Sequence, residues 1–159
     1  MKILGIDPGT SLIGYGIIES AGSKLKVIKQ GVFRTEKNLT TQERVVDVYS
    51  FFIDLIKTEK PDIASIEKLF FQNNAKTAMQ VGEIRGVILL ALKISGLEVR
   101  EFTPLQVKQA VSNYGRASKE QVQNMVKLIL SLEKIPKPDD IADALAIAIC
   151  CANTNMDLI

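Results

Sequence analysis

The chain contains no histidine. A histidine-based triad and a histidine-ligated zinc site are therefore excluded, and any catalysis must rest on carboxylates, lysines, hydroxyls or thiols. Cysteine is nearly absent: the only two, Cys150 and Cys151, are adjacent. Neighbours on a helix point about 100° apart and rarely bridge. The pair reads as two buried free thiols in a reducing compartment, so a cytoplasmic location is expected. No apolar run reaches the roughly 20 residues a bilayer demands, and the first apolar stretch stops at Asp7, so neither a transmembrane helix nor a signal peptide is expected. A large excess of either charge is also missing. Twenty basic residues against eighteen acidic give +2, which names no partner.

What remains has the composition of a globular protein. The 159 residues are 47% hydrophobic and 24% charged, which suits one domain over residues 1–159 with a core of its own. The first third reads as three strands, Lys2–Asp7, Ile13–Ser20 and Leu25–Thr35, with a hairpin turn at Ala21-Gly22-Ser23. From Thr40 the period changes. Val45, Val48, Tyr49, Phe52, Leu55 and Ile56 recur at helical spacing, with Thr40 or Thr41 as N-cap and Glu43 placed for a capping box. Pro61 ends that helix and leads into a strand at Asp62–Glu67. A long helix follows from about Asn74 to Ile94, then a strand at Leu97–Phe102. Three helices complete the chain, at about Pro104–Ser112, Ser118–Leu132 and Pro138–Ala152, with Pro104 and Pro138 suited to first helical positions. A three-strand meander followed by alternating helices and strands implies an α/β fold: a five-stranded mixed sheet flanked by helices, in ribonuclease H-like outline.

The most informative residues are acids in apolar surroundings. Of the twelve residues Ile141–Ala152, eleven are apolar and Asp143 is the exception. An unpartnered carboxylate in a helix buried nearly all round costs several kcal/mol. It needs a cation, a hydrogen-bond network or a metal. Asp140 lies on the same helical face by i, i+3 spacing. Asp7 ends the apolar strand Ile3-Leu4-Gly5-Ile6, and Glu67 ends Ile63-Ala64-Ser65-Ile66. If those strands are neighbours the acids converge, and each like-charge pair then costs on the order of 4 kcal/mol at about 4 Å and an effective dielectric near 20. Divalent cations relieve that repulsion. Oxygen ligands without histidine or thiolate favour magnesium or manganese, and two such ions form the clamp used in phosphodiester hydrolysis. Singly, each acid has an ordinary reading. Asp7 suits a turn before Pro8-Gly9, Glu67 a surface strand end, and Asp140 a first-turn acid favoured by the helix dipole, with Asp139 an equal candidate.

Taken in order, these residues resemble the RuvC family of bacterial Holliday junction resolvases. The likeness spans essentially the whole chain. It runs from Ile3-Leu4-Gly5-Ile6-Asp7-Pro8-Gly9 through Ile66-Glu67, Ala75–Gly86 and Gln106-Val107-Lys108-Gln109 to Asp140-Ile141-Ala142-Asp143-Ala144-Leu145-Ala146. The resemblance implies a ribonuclease H-like fold and a homodimer. It implies metal-dependent cutting of two symmetric strands of a four-way junction in recombination and repair. Asp7, Glu67, Asp140 and Asp143 would be both catalytic acids and ligands of two magnesium ions, with manganese as a substitute. It also implies a branch-migration helicase complex, RuvA and RuvB, as partner.

With those four acids set aside, twenty basic residues face fourteen acidic ones, a surplus of six positive charges suited to a phosphate backbone. The resemblance points to Lys108 and Lys119 as DNA contacts, and Arg116 joins them by proximity in sequence. It also assigns Phe70 to stacking on an unpaired base, a contact worth about 1–3 kcal/mol; from the residues alone, Phe70 and Phe71 suit the core equally. Ala75, Ala78, Gly82 and Gly86 form a stripe of small residues on the second helix, for packing on the sheet or on a two-fold partner. Competing readings are another ribonuclease H-like nuclease, acting on RNA–DNA hybrids or ribosomal RNA, and a junction-binding protein that does not cut. A sugar kinase or actin-like ATPase needs a second similar domain, for which 159 residues leave no room.

Overall fold

A computed structural model describes residues 1–36, 38–69 and 75–156. Five strands form one sheet: β1 (Lys2–Asp7), β2 (Leu12–Ala21), β3 (Lys24–Arg34), β4 (Ile63–Glu67) and β5 (Glu98–Phe102). Their order is β3-β2-β1-β4-β5, with β1–β3 antiparallel and β4 and β5 parallel to β1. The helices are α1 (Thr41–Glu59), α2 (Ala75–Ile94), α3 (Pro104–Ser112), α4 (Lys119–Ile129) and α5 (Asp139–Met156). This is the mixed sheet and element order that the hydrophobic periods predict.

The helix starts are set by side chains. Thr40, Thr103 and Ser118 each accept a hydrogen bond from the backbone three residues on, and Glu43, Gln106 and Gln121 reach back to complete capping boxes. Pro104 opens α3 as expected. Pro138 does not open α5: the helix begins at Asp139, and the Pro138 carbonyl accepts from the Ile141 amide as the cap. Asp139 and Asp140 both fall in the first turn of α5.

Strand alternation divides the core into two layers. Leu4 and Ile6 of β1, Ile13, Tyr15 and Ile17 of β2, and Ala64 and Ile66 of β4 face α1 and α2. The alternate residues face α5: Ile3, Gly5 and Asp7 on β1; Gly14, Gly16 and Ile18 on β2; Ile63, Ser65 and Glu67 on β4. α3 and α4 cover the outer side of α5. From Ile141 to Ala152, every residue but Asp143 is buried. Cys150 and Cys151 are free within this helix, their thiols pushed by burial up to about 12 and about 11.

The middle of the α5 face is made of small residues for a steric reason. A side chain at Gly5 would overlap the Ala144 carbonyl oxygen, one at Gly14 the Asp140 carbonyl oxygen, and one at Gly16 would come within 2.6 Å of Leu145 Cδ2. Ser65 donates its hydroxyl to the Ile147 carbonyl at 3.3 Å. The helix backbone therefore lies almost on the strands. Gly5→Ala should destabilise the protein by at least about 2 kcal/mol, because a helix carbonyl cannot step aside as a side-chain tip can. Denaturant titration measures this, and a change under about 0.5 kcal/mol, the scale of an ordinary surface substitution, would contradict the packing argument.

Candidate active site

Asp7 and Glu67 arrive at one place because β1 and β4 run parallel in register, Ile6 opposite Ile66, and both strands end in an acid on the α5 face. Neighbouring strands lie about 4.8 Å apart. The turn after Asp7 is pinned by Arg44, whose guanidinium donates to the Thr10 carbonyl at 3.0 Å. Asp7 pairs across the sheet with Gly14, on which the backbone of Asp140 rests. The first turns of α5 thus come down beside the ends of the two strands. Asp7, Glu67, Asp143, Lys108 and Lys119 line one cavity of about 240 Å³, whose apolar wall includes Val107, Val122 and Ile147. Asp140 does not line it, but its charge acts on both Asp7 and Asp143.

The electrostatics are those of buried acids that also repel one another. Burial pushes the Asp7 carboxyl up to about 7, and Asp143, Glu67 and Asp140 add to the rise while Lys119 opposes it. Burial also raises Glu67, helped by Asp143 and opposed by Lys108. Burial raises Asp143 as well. The hydrogen bond and charge of Lys119 restrain that rise, and Asp139 and Asp140 add to it.

Lys119 is the counter-charge. Its Nζ donates to Asp143 Oδ2 at 3.1 Å and lies 3.4 Å from Asp139 Oδ2. Asp139 Oδ1 in turn accepts from Lys137 at 2.7 Å. That bond, with the charges of both lysines, holds Asp139 below the usual carboxylate range. Asp139 and Asp140, equal candidates from the residues alone although the Asp-x-x-Asp spacing of the resembled family selects Asp140, differ in setting: Asp139 is half-buried and paired with lysines, while Asp140 acts on Asp7. Among the described residues no three acids or thiols are already drawn into a metal cage. The donor set still fits a hard divalent cation: only carboxylate oxygens, in repulsive proximity, with Asp143 a third exposed to the cavity.

The other expected residues are placed unevenly. Lys108 is at the cavity beside Glu67. Arg116 is exposed on the turn between α3 and α4 and does not line the cavity. Phe70 and Phe71 lie outside the described residues. Of the small-residue stripe on α2, Gly86 is exposed, with nothing within 4 Å of where its side chain would begin, so the sheet does not account for it. Sequence reasoning missed Arg85. Its Nε donates to the Glu67 carbonyl at 3.0 Å and its guanidinium pairs with Glu101 on β5, tying the end of β4 in place. No local pattern signals such a bond between α2 and a strand end.

Residues 3–151 match the family model described as Crossover junction endodeoxyribonuclease RuvC. A protein of that name from Thermosipho melanesiensis is 52% identical over 152 residues, covering 96% of this chain and 97% of its own. Another from Desulforamulus reducens is 54% identical over 152 residues, covering 96% and 93%. The structure of Thermus thermophilus RuvC in complex with Holliday junction substrate superposes with a TM-score of 0.92 at 33% identity, over 98% of this chain and 94% of that one.

The raised acids make stability fall with pH in the absence of cations. Asp7 titrates at about 7 when folded against 3.8 for the free group, so the folded state holds the extra proton between those values and loses stability as pH rises through them. At pH 8 the charged Asp7 opposes folding by up to about 4 kcal/mol. In chelator, the melting temperature should fall from pH 4.5 to 8, Asp7→Asn should flatten that fall, and it should raise the melting temperature at pH 8. A parent profile that rises across this range, with no gain from the substitution, would contradict the burial and crowding of Asp7.

Proposed function

Because this chain belongs to the RuvC family of crossover junction endodeoxyribonucleases, it is an endonuclease that resolves Holliday junctions, and we propose that Asp7, Glu67, Asp140 and Asp143 are its catalytic acids. The family is metal-dependent. We assign these acids the task of holding two divalent cations, magnesium first and manganese as a substitute. The observation that carries this reading is the coupling of Asp7 to all three other acids beside one cavity. When bound there, divalent cations supply the positive charge that activates an attacking water and stabilises the departing oxygen.

The chain's own groups do the positioning. Asp7 and Glu67 stand on adjacent strand ends and cannot retreat from each other. Asp143 projects from a helix whose neighbours are all buried, so its approach is equally rigid. Lys108 and Lys119 bring positive charge to the cavity wall, where a strand phosphate must lie to be cut. Arg116, exposed nearby, adds a backbone contact outside it. Phe70 remains a candidate for stacking on a junction base.

Two symmetric cuts call for two symmetric sites, hence a homodimer with an isologous interface. α2 is the face we assign to it. Met79, Gly82, Gly86 and Leu90 recur at helical spacing, and Met79 and Leu90 are exposed while Ile84, Ile88 and Leu92 are buried on the other side. A cytoplasmic location and cooperation with the RuvA–RuvB branch-migration complex belong to the same proposal.

Two measurements test it. A synthetic four-way junction should be cut by the parent only with magnesium or manganese, and Asp7→Asn should lose cutting by a factor of at least about 100 while binding the junction with affinity within about threefold of the parent, because the surface charge barely changes. Retained cutting, or lost binding, would overturn the assignment of Asp7. Lys108→Ala should weaken junction binding and lower the slope of log affinity against log salt by about 0.9, one phosphate contact. An unchanged slope would put Lys108 off the DNA.

A further inference from the structure

Lys119 is the first residue of α4, where the helix dipole disfavours a cation. What favours it there is a pair of carboxylates on the facing helix. Asp139 and Asp143 are four residues apart and so share one face of α5, and the ammonium lies between them, 3.1 Å from Asp143 and 3.4 Å from Asp139. The two acids are not equivalent. Asp143 lines the cavity and Asp139 does not. Asp139 gives its other oxygen to Lys137 at 2.7 Å, which leaves Oδ2 as the oxygen near Lys119.

A divalent cation drawn to Asp143 and the Lys119 ammonium compete for the same carboxylate. The side chain of Lys119 is over half exposed and can move, but the charge has to go somewhere. We propose that Asp139 is the parking site of Lys119: when a divalent cation occupies the carboxylates, the ammonium shifts onto Asp139 and stays at the cavity rim. The required displacement is small, since Asp139 already lies within salt-bridge range. Asp139 is thus a positioning residue that governs cation affinity through a lysine, and it binds no cation itself. Lys137 holds it in the right orientation. The inference rests on the four acids being the cation site, and its test separates the two ideas.

Manganese binding is measured by isothermal titration calorimetry on the full chain without DNA, for the parent, Lys119→Met, Asp139→Asn and the double variant. Removing the competing ammonium should tighten manganese binding by about three- to tenfold, and Asp139→Asn alone should weaken it by about two- to fivefold, the range for a partly exposed ion pair. In the Lys119→Met background the Asp139→Asn change should have a clearly smaller effect, under about 1.5-fold, because the lysine it acts on is gone and only its charge near Asp143 remains. An equal weakening in both backgrounds would mean that Asp139 acts on the cation directly and would overturn the parking role. So would an Asp139→Asn variant that binds manganese as the parent does. A parent that binds no manganese would overturn the cation site itself, and the parking site with it.

Discussion

The backbone of α5 lies against β1 and β2 because Gly5, Gly14 and Gly16 present no side chain to hold it off. The closeness has an electrostatic consequence. The same helix carries acids in its first turns, and the same strands end in acids on the facing side. Packing that is favourable along the apolar length of α5 is therefore bound to repulsion at its N-terminal end. Neither can be relaxed without the other, since moving the helix away from Asp7 would open the buried layer around Ala144, Leu145 and Ala148. The carboxylates are held together by a core that gains nothing from their charge.

Counter-charge is arranged in two tiers around this cluster. Lys119 touches Asp143 directly, and the charge of Lys108 acts on Glu67 at the same cavity. Farther out, Lys137 engages Asp139, outside the cavity. Single positive charges on flexible stems suit this task, because they compensate carboxylates without committing them. A lysine can be displaced by a doubly charged ion, and it can turn to a phosphate once displaced. Carboxylates and lysines thus meet at one cavity.

Much of this was legible in the sequence, and the limits have physical causes. Asp143 stood out because a helix buried all round leaves one polar residue nothing to hide behind. Asp7 and Glu67 stood out because a strand that ends in an acid fixes its face by a period of two. The meander and the parallel strands followed from the change of period at Thr40, and the capping box at Thr40 and Glu43 from local spacing. What was not legible are bonds between elements distant in the chain. Nothing near Arg85 says that it reaches the Glu67 carbonyl, and nothing near Lys119 says that it meets Asp143. Gly14 and Gly16 were visible as glycines in a strand, but their reason is a helix some 130 residues later. Pro138 suited a first helical position by type and stands one residue earlier, its carbonyl accepting from the Ile141 amide.

The central claim is that rigid packing crowds these acids until a cation relieves them, and Asp7 reports on it directly. Carbon-13 NMR of the side-chain carboxyl of Asp7, titrated from pH 3 to 9 in chelator and again in saturating magnesium, measures its protonation in both states. The account predicts a midpoint near 7 in chelator, falling below about 5 with magnesium as bound positive charge favours the ionised form. A midpoint near 4 that magnesium leaves unmoved would contradict it.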